Sequence, residues 1–188
     1  ESHSSRVALI PRFSSTGMSI RPRSRRRVKF CMFREPTFST SAAAEQLGIP
    51  VLREFFSEQL GRQLASEATQ ADLIVGNNVY AHVPDINDFV MGMKIALKEN
   101  GIITMEFPHL MRLVEESQFD TIYHEHLCYF SVTALDNLFR QNDLYLNDIE
   151  RLSIHGGSLR LYIARNENLQ ESVRILLQQE KHQSVDKF

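Results

Sequence analysis

The chain has 188 residues, 43% hydrophobic and 23% charged, with a formal net charge of −2, which are ordinary values for one globular domain with a sizeable core. It has no apolar run near the roughly 20 residues that a membrane helix needs, so we expect no membrane partner. Its two cysteines, Cys31 and Cys128, lack the spacing of a zinc site or a disulfide scaffold, so we expect a reduced, cytoplasmic setting.

The start of the chain differs in kind from the rest. Residues 1–34 carry nine Arg or Lys residues and one acidic residue. The remaining residues carry twelve Arg or Lys residues and twenty-two Asp or Glu residues. The arginine-rich run at 21–27 fits a nucleic-acid tail, a nuclear import signal or a transit peptide. Residues 7–10 form a strand candidate with no good partner nearby. We interpret residues 1–27 as a basic extension, disordered or artefactual, and the acidic remainder argues against nucleic acid as a partner.

From residue 28 onward, short apolar strands alternate with helices. Strands are predicted at 28–33, 49–52, 72–76 and 102–107, and helices at 41–47, 57–68 and 84–98, with a turn at 99–101. Such alternation indicates a parallel sheet covered by helices. Ligands of these sheets bind beyond the carboxyl ends of the strands. Those ends carry Glu35, Phe55, Phe56, Asn77, Asn78 and residues 106–108.

The second half predicts a helix near 131–141, strands at 144–151 and 158–164, and a helix opening over 168–183. Two consecutive strands predict an antiparallel edge. We assign residues 28–166 to a partial core and residues 167–188 to the start of a truncated C-terminal region. The chain begins at Glu1 rather than at a methionine, which suggests a piece of a longer protein.

One segment, residues 123–130, combines two imidazoles, a carboxylate and two phenols. This density of titratable groups is typical of a surface loop or an active site. In an extended segment Tyr123 and Glu125 share one face and His124 and His126 the other, whereas in a helical turn they fan out. The same residues could also bind iron or zinc, although no third ligand follows at a regular spacing.

Several segments together resemble S-adenosylmethionine-dependent C-methyltransferases that methylate nucleotide-linked deoxysugars. They are residues 35–37, 48–51, 54–56, 71–90, 119–131 and 155–164. The resemblance implies a class I methyltransferase fold, which is Rossmann-like and doubly wound, with a mostly parallel sheet and an antiparallel C-terminal edge. It also implies S-adenosylmethionine as the cofactor and a small-molecule acceptor, a nucleotide-linked sugar, and leaves the oligomeric state open.

The same resemblance predicts the cofactor site. It implies that Glu35 binds the ribose hydroxyls, that Phe55 or Phe56 lies against adenine, and that Asn77 and Asn78 line the cofactor. The glycine-rich loop of the family would lie ahead of residue 28, where only Gly17 occurs. The fold is therefore expected to be truncated on its N-terminal side, and an inactive remnant without that loop is the alternative function.

The catalytic group follows from the chemistry of carbon methylation. A base must remove a proton beside a ketone, and the enolate oxygen must be stabilised. Histidine suits the base role, so we expect His126 as base, Tyr123 as donor to the oxyanion, and Glu125 orienting the base or binding sugar. His82 is a further active-site candidate for substrate contact or proton handling. We expect His124 to point elsewhere in a structural role.

Overall fold

The computed structural model describes residues 6–10, 29–32, 45–46, 51–52, 54–154 and 156–184. In this part of the chain seven strands form one sheet in the order β3-β2-β1-β4-β5-β7-β6. The strands are β1 Arg6–Ile10, β2 Lys29–Met32, β3 Val51–Leu52, β4 Ala71–Asn77, β5 Leu97–Pro108, β6 Tyr145–Leu152 and β7 Ser158–Ala164. The helices are α1 Glu58–Ser66, α2 Ile86–Ala96, α3 Leu110–Glu115, α4 Val132–Gln141 and α5 Glu171–His182, with short 3-10 turns at Tyr80–His82 and Phe119–Thr121.

The sheet is mixed. β2 pairs in parallel with β3, and β4 in parallel with β5, whereas β7 pairs antiparallel with both β5 and β6. The predicted α/β class and antiparallel C-terminal edge are therefore confirmed. The sheet is not mostly parallel, because β1 lies between β2 and β4 and runs antiparallel to both. The expectation that residues 7–10 have no partner is thus wrong, although they belong to the segment assigned to the basic extension.

The core lies at the centre of the sheet and under its helices. Its fully buried side chains include Ile74 on β4, Ile103 and Met105 on β5, and Leu135 and Phe139 on α4. Three of the five helices named above begin at a residue whose side chain caps the first turn. The side chains of Ser57, Asp85 and Ser131 accept hydrogen bonds from the first-turn backbone N–H groups of α1, α2 and α4.

One predicted turn is absorbed into a strand. Residues 99–101 were expected to stop a helix and turn the chain, but they belong to β5. The N–H of Leu97 closes the last turn of α2, so the chain enters β5 without a loop. The register with β4 shifts between Ala71 and Leu73, and this irregularity takes up the extra residues. Helix α3 was not predicted, and of the helix predicted at 41–47 the structure describes only the helical residues 45–46.

In the part of the chain that the structure describes, no helix has the length and apolar character to cross a membrane.

Candidate active site

Residues 123–130, the histidine-rich segment, fold as a turn and not as an extended strand. The N–H of His126 donates to the carbonyl of Tyr123 across 3.0 Å, which brings residues three apart onto one side. The Tyr123 hydroxyl lies 2.8 Å from His126 Nε2, and the two ring centroids are 4.0 Å apart. The turn therefore couples the residue predicted as oxyanion donor to the residue predicted as base.

The hydrogen bonds of His126 fix its tautomer. Its Nδ1 lies 2.8 Å from the carbonyl oxygen of Thr121, which can only accept, so Nδ1 carries the proton. Nε2 then has the lone pair and accepts the hydrogen bond from Tyr123. The basic nitrogen of neutral His126 is consequently the one that faces the Tyr123 hydroxyl.

The structure brings His82 to the same place from a distant part of the sequence. His82 ends the 3-10 turn Tyr80–His82, is 8% exposed, and its ring centroid lies 5.0 Å from that of His126. Its Nδ1 lies 2.8 Å from the carbonyl oxygen of Glu125. Beside it, the carbonyl of Ala81 accepts hydrogen bonds from the N–H groups of residues 127 and 128, at 2.7 and 3.3 Å. This 3-10 turn thus anchors the histidine-rich turn.

The side chains of His124 and Glu125 face solvent. They are 90% and 56% exposed, and His124 Nε2 lies 3.7 Å from Glu125 Oε1. His124 points away from the site, as expected, but it is not packed in a structural role. The expectation that Glu125 orients His126 is not met in this structure, because the Thr121 carbonyl holds Nδ1 instead. Sequence reasoning missed Thr121, since a backbone acceptor leaves no trace in residue type.

A small pocket opens beside His126. Its lining includes the apolar residues Ala81, Phe107, Pro108 and Phe130, together with Thr121, Cys128 and Tyr129. The pocket is thus mostly apolar and lies beside His126, whereas Tyr123 and His82 do not line it.

The environment keeps the Tyr123 phenol protonated. Partial burial raises the pKa of Tyr123 above its usual value, and the nearby Glu125 carboxylate and Tyr129 raise it further. A phenol with a raised pKa remains a hydrogen-bond donor throughout the neutral pH range. Tyr123 is therefore suited to stabilise a negative charge that develops on a ligand oxygen.

Of the five predicted cofactor residues, Asn77, Asn78 and Phe55 lie at or just beyond the carboxyl edge of the sheet. Asn77 ends β4 and is exposed, and Asn78 follows it with a φ of 54° while donating its N–H to the Glu106 carbonyl across 2.8 Å. Phe55 follows β3 and is 64% exposed, but Phe56 is buried in the core. The Phe56 ring packs edge-on against Phe89, so it belongs to the core and does not line the edge. Glu35 lies outside the described residues.

This edge fits a nucleoside cofactor in part. Asn77 offers amide donors and acceptors, and Phe55 offers a ring face. β1 contributes its amino end here, because Arg6 pairs with Asn77 while Ile10 pairs with Leu73 at the opposite edge. The chain therefore leaves β1 on the side away from Asn77.

Two buried residues near this edge, Glu106 and His109, form side-chain hydrogen bonds that connect elements of the fold. The Glu106 carboxylate at the end of β5 is buried and accepts a hydrogen bond from Arg160 Nε at 2.7 Å. His109, which follows β5, is also buried, and its Nε2 lies 2.8 Å from Glu180 Oε1. Both pairs hold elements together beneath the site.

No cluster of three or more His, Cys, Asp or Glu side chains within the described ranges is arranged to hold a metal ion. The residues proposed as ligands separate: His124 and Glu125 face solvent, while His126 is engaged with Tyr123 and Thr121.

Comparisons with known proteins agree on one family. A family model described as a methyltransferase domain matches residues 10–148. The C-methyltransferase NovU of Streptomyces niveus is 30% identical over 154 residues, which cover 80% of this chain and 37% of that protein. The chain therefore spans well under half the length of this curated relative.

A solved structure supports the fold. The SAM-dependent methyltransferase from Anabaena variabilis ATCC 29413 matches with a TM-score of 0.50 at 14% identity, over 69% of this chain and 65% of that chain. At this identity the match concerns the fold alone. Together with the family match, it shows that the chain has a class I methyltransferase fold and belongs to the methyltransferase domain family, whose cofactor is S-adenosylmethionine.

Proposed function

We propose that the protein transfers a methyl group from S-adenosylmethionine to a carbon atom beside a ketone, in a nucleotide-linked keto-sugar or a similar small acceptor. The observation that carries this proposal is the arrangement of His126, with Nδ1 on the Thr121 carbonyl and Nε2 on the Tyr123 hydroxyl. A basic nitrogen and a phenolic donor side by side are the two groups that enolate formation needs. That NovU is a C-methyltransferase further supports carbon as the methylated atom.

The two groups act on neighbouring atoms of the acceptor. When the ketone oxygen enters, it takes the hydrogen bond of the Tyr123 hydroxyl, which leaves Nε2 of His126 free. Nε2 then removes the proton from the adjacent carbon, and the Tyr123 hydroxyl stabilises the negative charge on the oxygen. S-adenosylmethionine, when bound, would supply the electrophilic methyl group for this carbon, with its sulfonium sulfur leaving as a neutral thioether.

Other residues bind and shape the site. His82, nearly buried and 5.0 Å from His126 between ring centroids, contacts the acceptor or takes part in moving the proton. Asn77, Asn78 and Phe55 would hold the cofactor, and Glu125, exposed at the rim, can accept hydrogen bonds from sugar hydroxyls.

The substitution His126→Ala tests the base assignment. We expect proton exchange from the acceptor carbon into deuterated solvent, and methyl transfer with it, to fall by about 10²–10⁴-fold, as for loss of a general base. The matched control is His182→Ala, an exposed histidine at the end of α5. Methyl transfer at the wild-type rate by the His126→Ala protein, with the control also active, would show that another group is the base.

A second candidate is a chain that keeps the fold but does not bind the cofactor. It is favoured by the direction of β1, whose carboxyl end lies at the edge opposite Asn77. Calorimetric titration with S-adenosylmethionine separates the two candidates, because only the enzyme binds it.

A further inference from the structure

One backbone oxygen at the site accepts two hydrogen bonds. The carbonyl of Thr121 lies 2.8 Å from His126 Nδ1 and 3.1 Å from the hydroxyl of Tyr129. The rings of His126 and Tyr129 meet edge to face, with centroids 5.8 Å apart and an interplanar angle of 85°. The Tyr129 ring thus contacts the ring of His126. The Tyr129 hydroxyl also donates a hydrogen bond to the Thr121 carbonyl oxygen, which accepts the hydrogen bond from Nδ1 of His126.

We propose that Tyr129 is a positioning residue, whose hydroxyl holds the Thr121 carbonyl against Nδ1 of His126 and so maintains the tautomer that leaves Nε2 basic. This inference rests on the proposed function, in which Nε2 of His126 is the base. Tyr129 acts through Thr121 and His126, not on the acceptor.

The local backbone explains why such a support is needed. Residues 126–129 have no regular secondary structure, and residues 122–125 are exposed. The carbonyl of Thr121 ends a 3-10 turn of only three residues, Phe119–Thr121. A short turn next to an exposed segment has few contacts of its own, so the Tyr129 hydroxyl adds a restraint on the orientation of this peptide group.

The tautomer matters because an imidazole has two neutral forms. A histidine side chain that is free in water favours the form with the proton on Nε2, and in this form Nε2 cannot act as a base. A carbonyl fixed at Nδ1 reverses this preference, since only an N–H at Nδ1 satisfies it. The Tyr129 hydroxyl therefore contributes to the base without touching the reacting atoms.

Tyr129→Phe removes the hydroxyl and keeps the ring, so the edge contact with His126 remains. The readout is the nitrogen NMR spectrum of the neutral His126 ring in isotope-labelled 188-residue protein, with the signals assigned by their loss in His126→Ala. We expect the wild-type protein to show the Nδ1–H form and the variant a mixture in which the Nε2–H form is increased several-fold. Tyr145→Phe is the matched control, because Tyr145 lies on β6 beneath Arg140 and should leave the His126 spectrum unchanged.

Steady-state kinetics provide the second readout. We expect Tyr129→Phe to lower kcat roughly tenfold with little change in KM, less than the 10²-fold that a displacement of about 1 Å costs. An unchanged tautomer in Tyr129→Phe overturns the positioning role, whatever the rate. If the tautomer shifts as expected but His126→Ala transfers methyl groups at the wild-type rate, the assignment of His126 as the base fails, while the control of its tautomer by Tyr129 stands.

Discussion

At the scale of single residues, the site depends on backbone carbonyls more than on charged side chains. The Glu125 and Thr121 carbonyls hold the Nδ1 atoms of His82 and His126, each at 2.8 Å. The only acidic side chain in the histidine-rich turn, that of Glu125, faces solvent. Its remaining influence on the site is electrostatic, since its charge opposes formation of the Tyr123 phenolate.

The substitution Glu125→Gln tests this influence. The carboxylate raises the pKa of Tyr123, so its removal should lower that pKa, because the phenolate no longer forms beside a negative charge. The measurement is a pH titration of the Tyr123 ring by carbon NMR in labelled protein, with Tyr123→Phe for assignment.

The control is Glu171→Gln, an exposed acid at the start of α5. A Tyr123 titration that is the same in Glu125→Gln as in the wild-type protein would mean that the Glu125 charge does not contribute to this pKa.

Residue types indicated which side chains lie together, but not the hydrogen bonds that hold them. His82, Tyr123 and His126 were identified from their chemistry and their resemblance to a family, and the structure brings them together. Phe55 and Phe56 are adjacent and identical in type, and only packing against Phe89 decides which one is buried. The Thr121 carbonyl could not be predicted, because every residue has a carbonyl and only the fold selects one.

At the scale of elements, a buried carboxylate joins the last helix to the site. Glu180 on α5 is fully buried and accepts hydrogen bonds from His109 Nε2, from the N–H groups of Val132 and Thr133, and from the Thr133 hydroxyl. It therefore caps the first turn of α4 from another helix. Burial alone would raise the pKa of Glu180, but the hydrogen bonds from His109 and Thr133 outweigh it and lower the pKa.

Glu180→Gln should destabilise the fold by about 2–4 kcal/mol, because an amide replaces a buried charged acceptor with four donors around it. A carboxyl whose pKa is lowered by folding stabilises the protein above its unfolded pKa of about 4.3, and this contribution is lost as the pH falls through the folded pKa. The difference in unfolding free energy between the wild-type protein and the variant should therefore shrink in acid. Urea unfolding at several pH values measures it.

Glu171→Gln, on the same helix but exposed, is the control and should change little. A difference for Glu180→Gln that stays constant down to low pH would show that the carboxylate does not contribute through its charge.

Helices α1 and α2 cross in direct backbone contact. A Cβ added at Gly61 would lie 2.5 Å from the Gly92 carbonyl oxygen, and one added at Gly92 would lie 2.3 Å from the Ser57 carbonyl oxygen. The N–H of Glu58 also donates to Asp88 Oδ1 at 3.1 Å across this contact. Two glycines far apart in the sequence thus permit the close approach, which no periodicity in either helix predicted.

Gly92→Ala should therefore destabilise the protein by about 1–3 kcal/mol, the usual cost of overpacking, although alanine is the better helix former. The measurement is the midpoint of urea unfolding, and Gln63→Ala on the exposed face of α1 is the control. A more stable Gly92→Ala protein would mean that the two helices separate at little cost.

At the scale of the whole molecule, the alternation of strands and helices predicted the α/β class, and the two final strands predicted the antiparallel edge. The position of β1 between β2 and β4 could not be predicted, because pairing between distant strands is set by the sheet as a whole. This strand brings its amino end to the edge at Asn77.

Cofactor binding is the prediction at this scale. If the edge at Asn77 binds S-adenosylmethionine, a concentration of about 100 times Kd should stabilise the 188-residue chain by about 2.7 kcal/mol. A thermal melt with and without the cofactor measures this, and Asn77→Ala should reduce the shift. Asn100→Ala, an exposed asparagine in the irregular start of β5, is the control.

A melting temperature that does not respond to the cofactor, with unfolding still cooperative, would favour the candidate that keeps the fold without binding it.

Because main-chain oxygens hold both imidazoles, the site places few demands on the side chains of the residues that carry those oxygens as the sequence evolves. A carbonyl is present whatever side chain its residue carries, so positions 121 and 125 can exchange one amino acid for another while the histidine rings keep their orientation. The exposed rim of the turn is then free to vary toward new acceptors without disturbing the base. Insertions, deletions and prolines displace the backbone itself, so we expect these changes to disrupt the orientation of the two histidine rings.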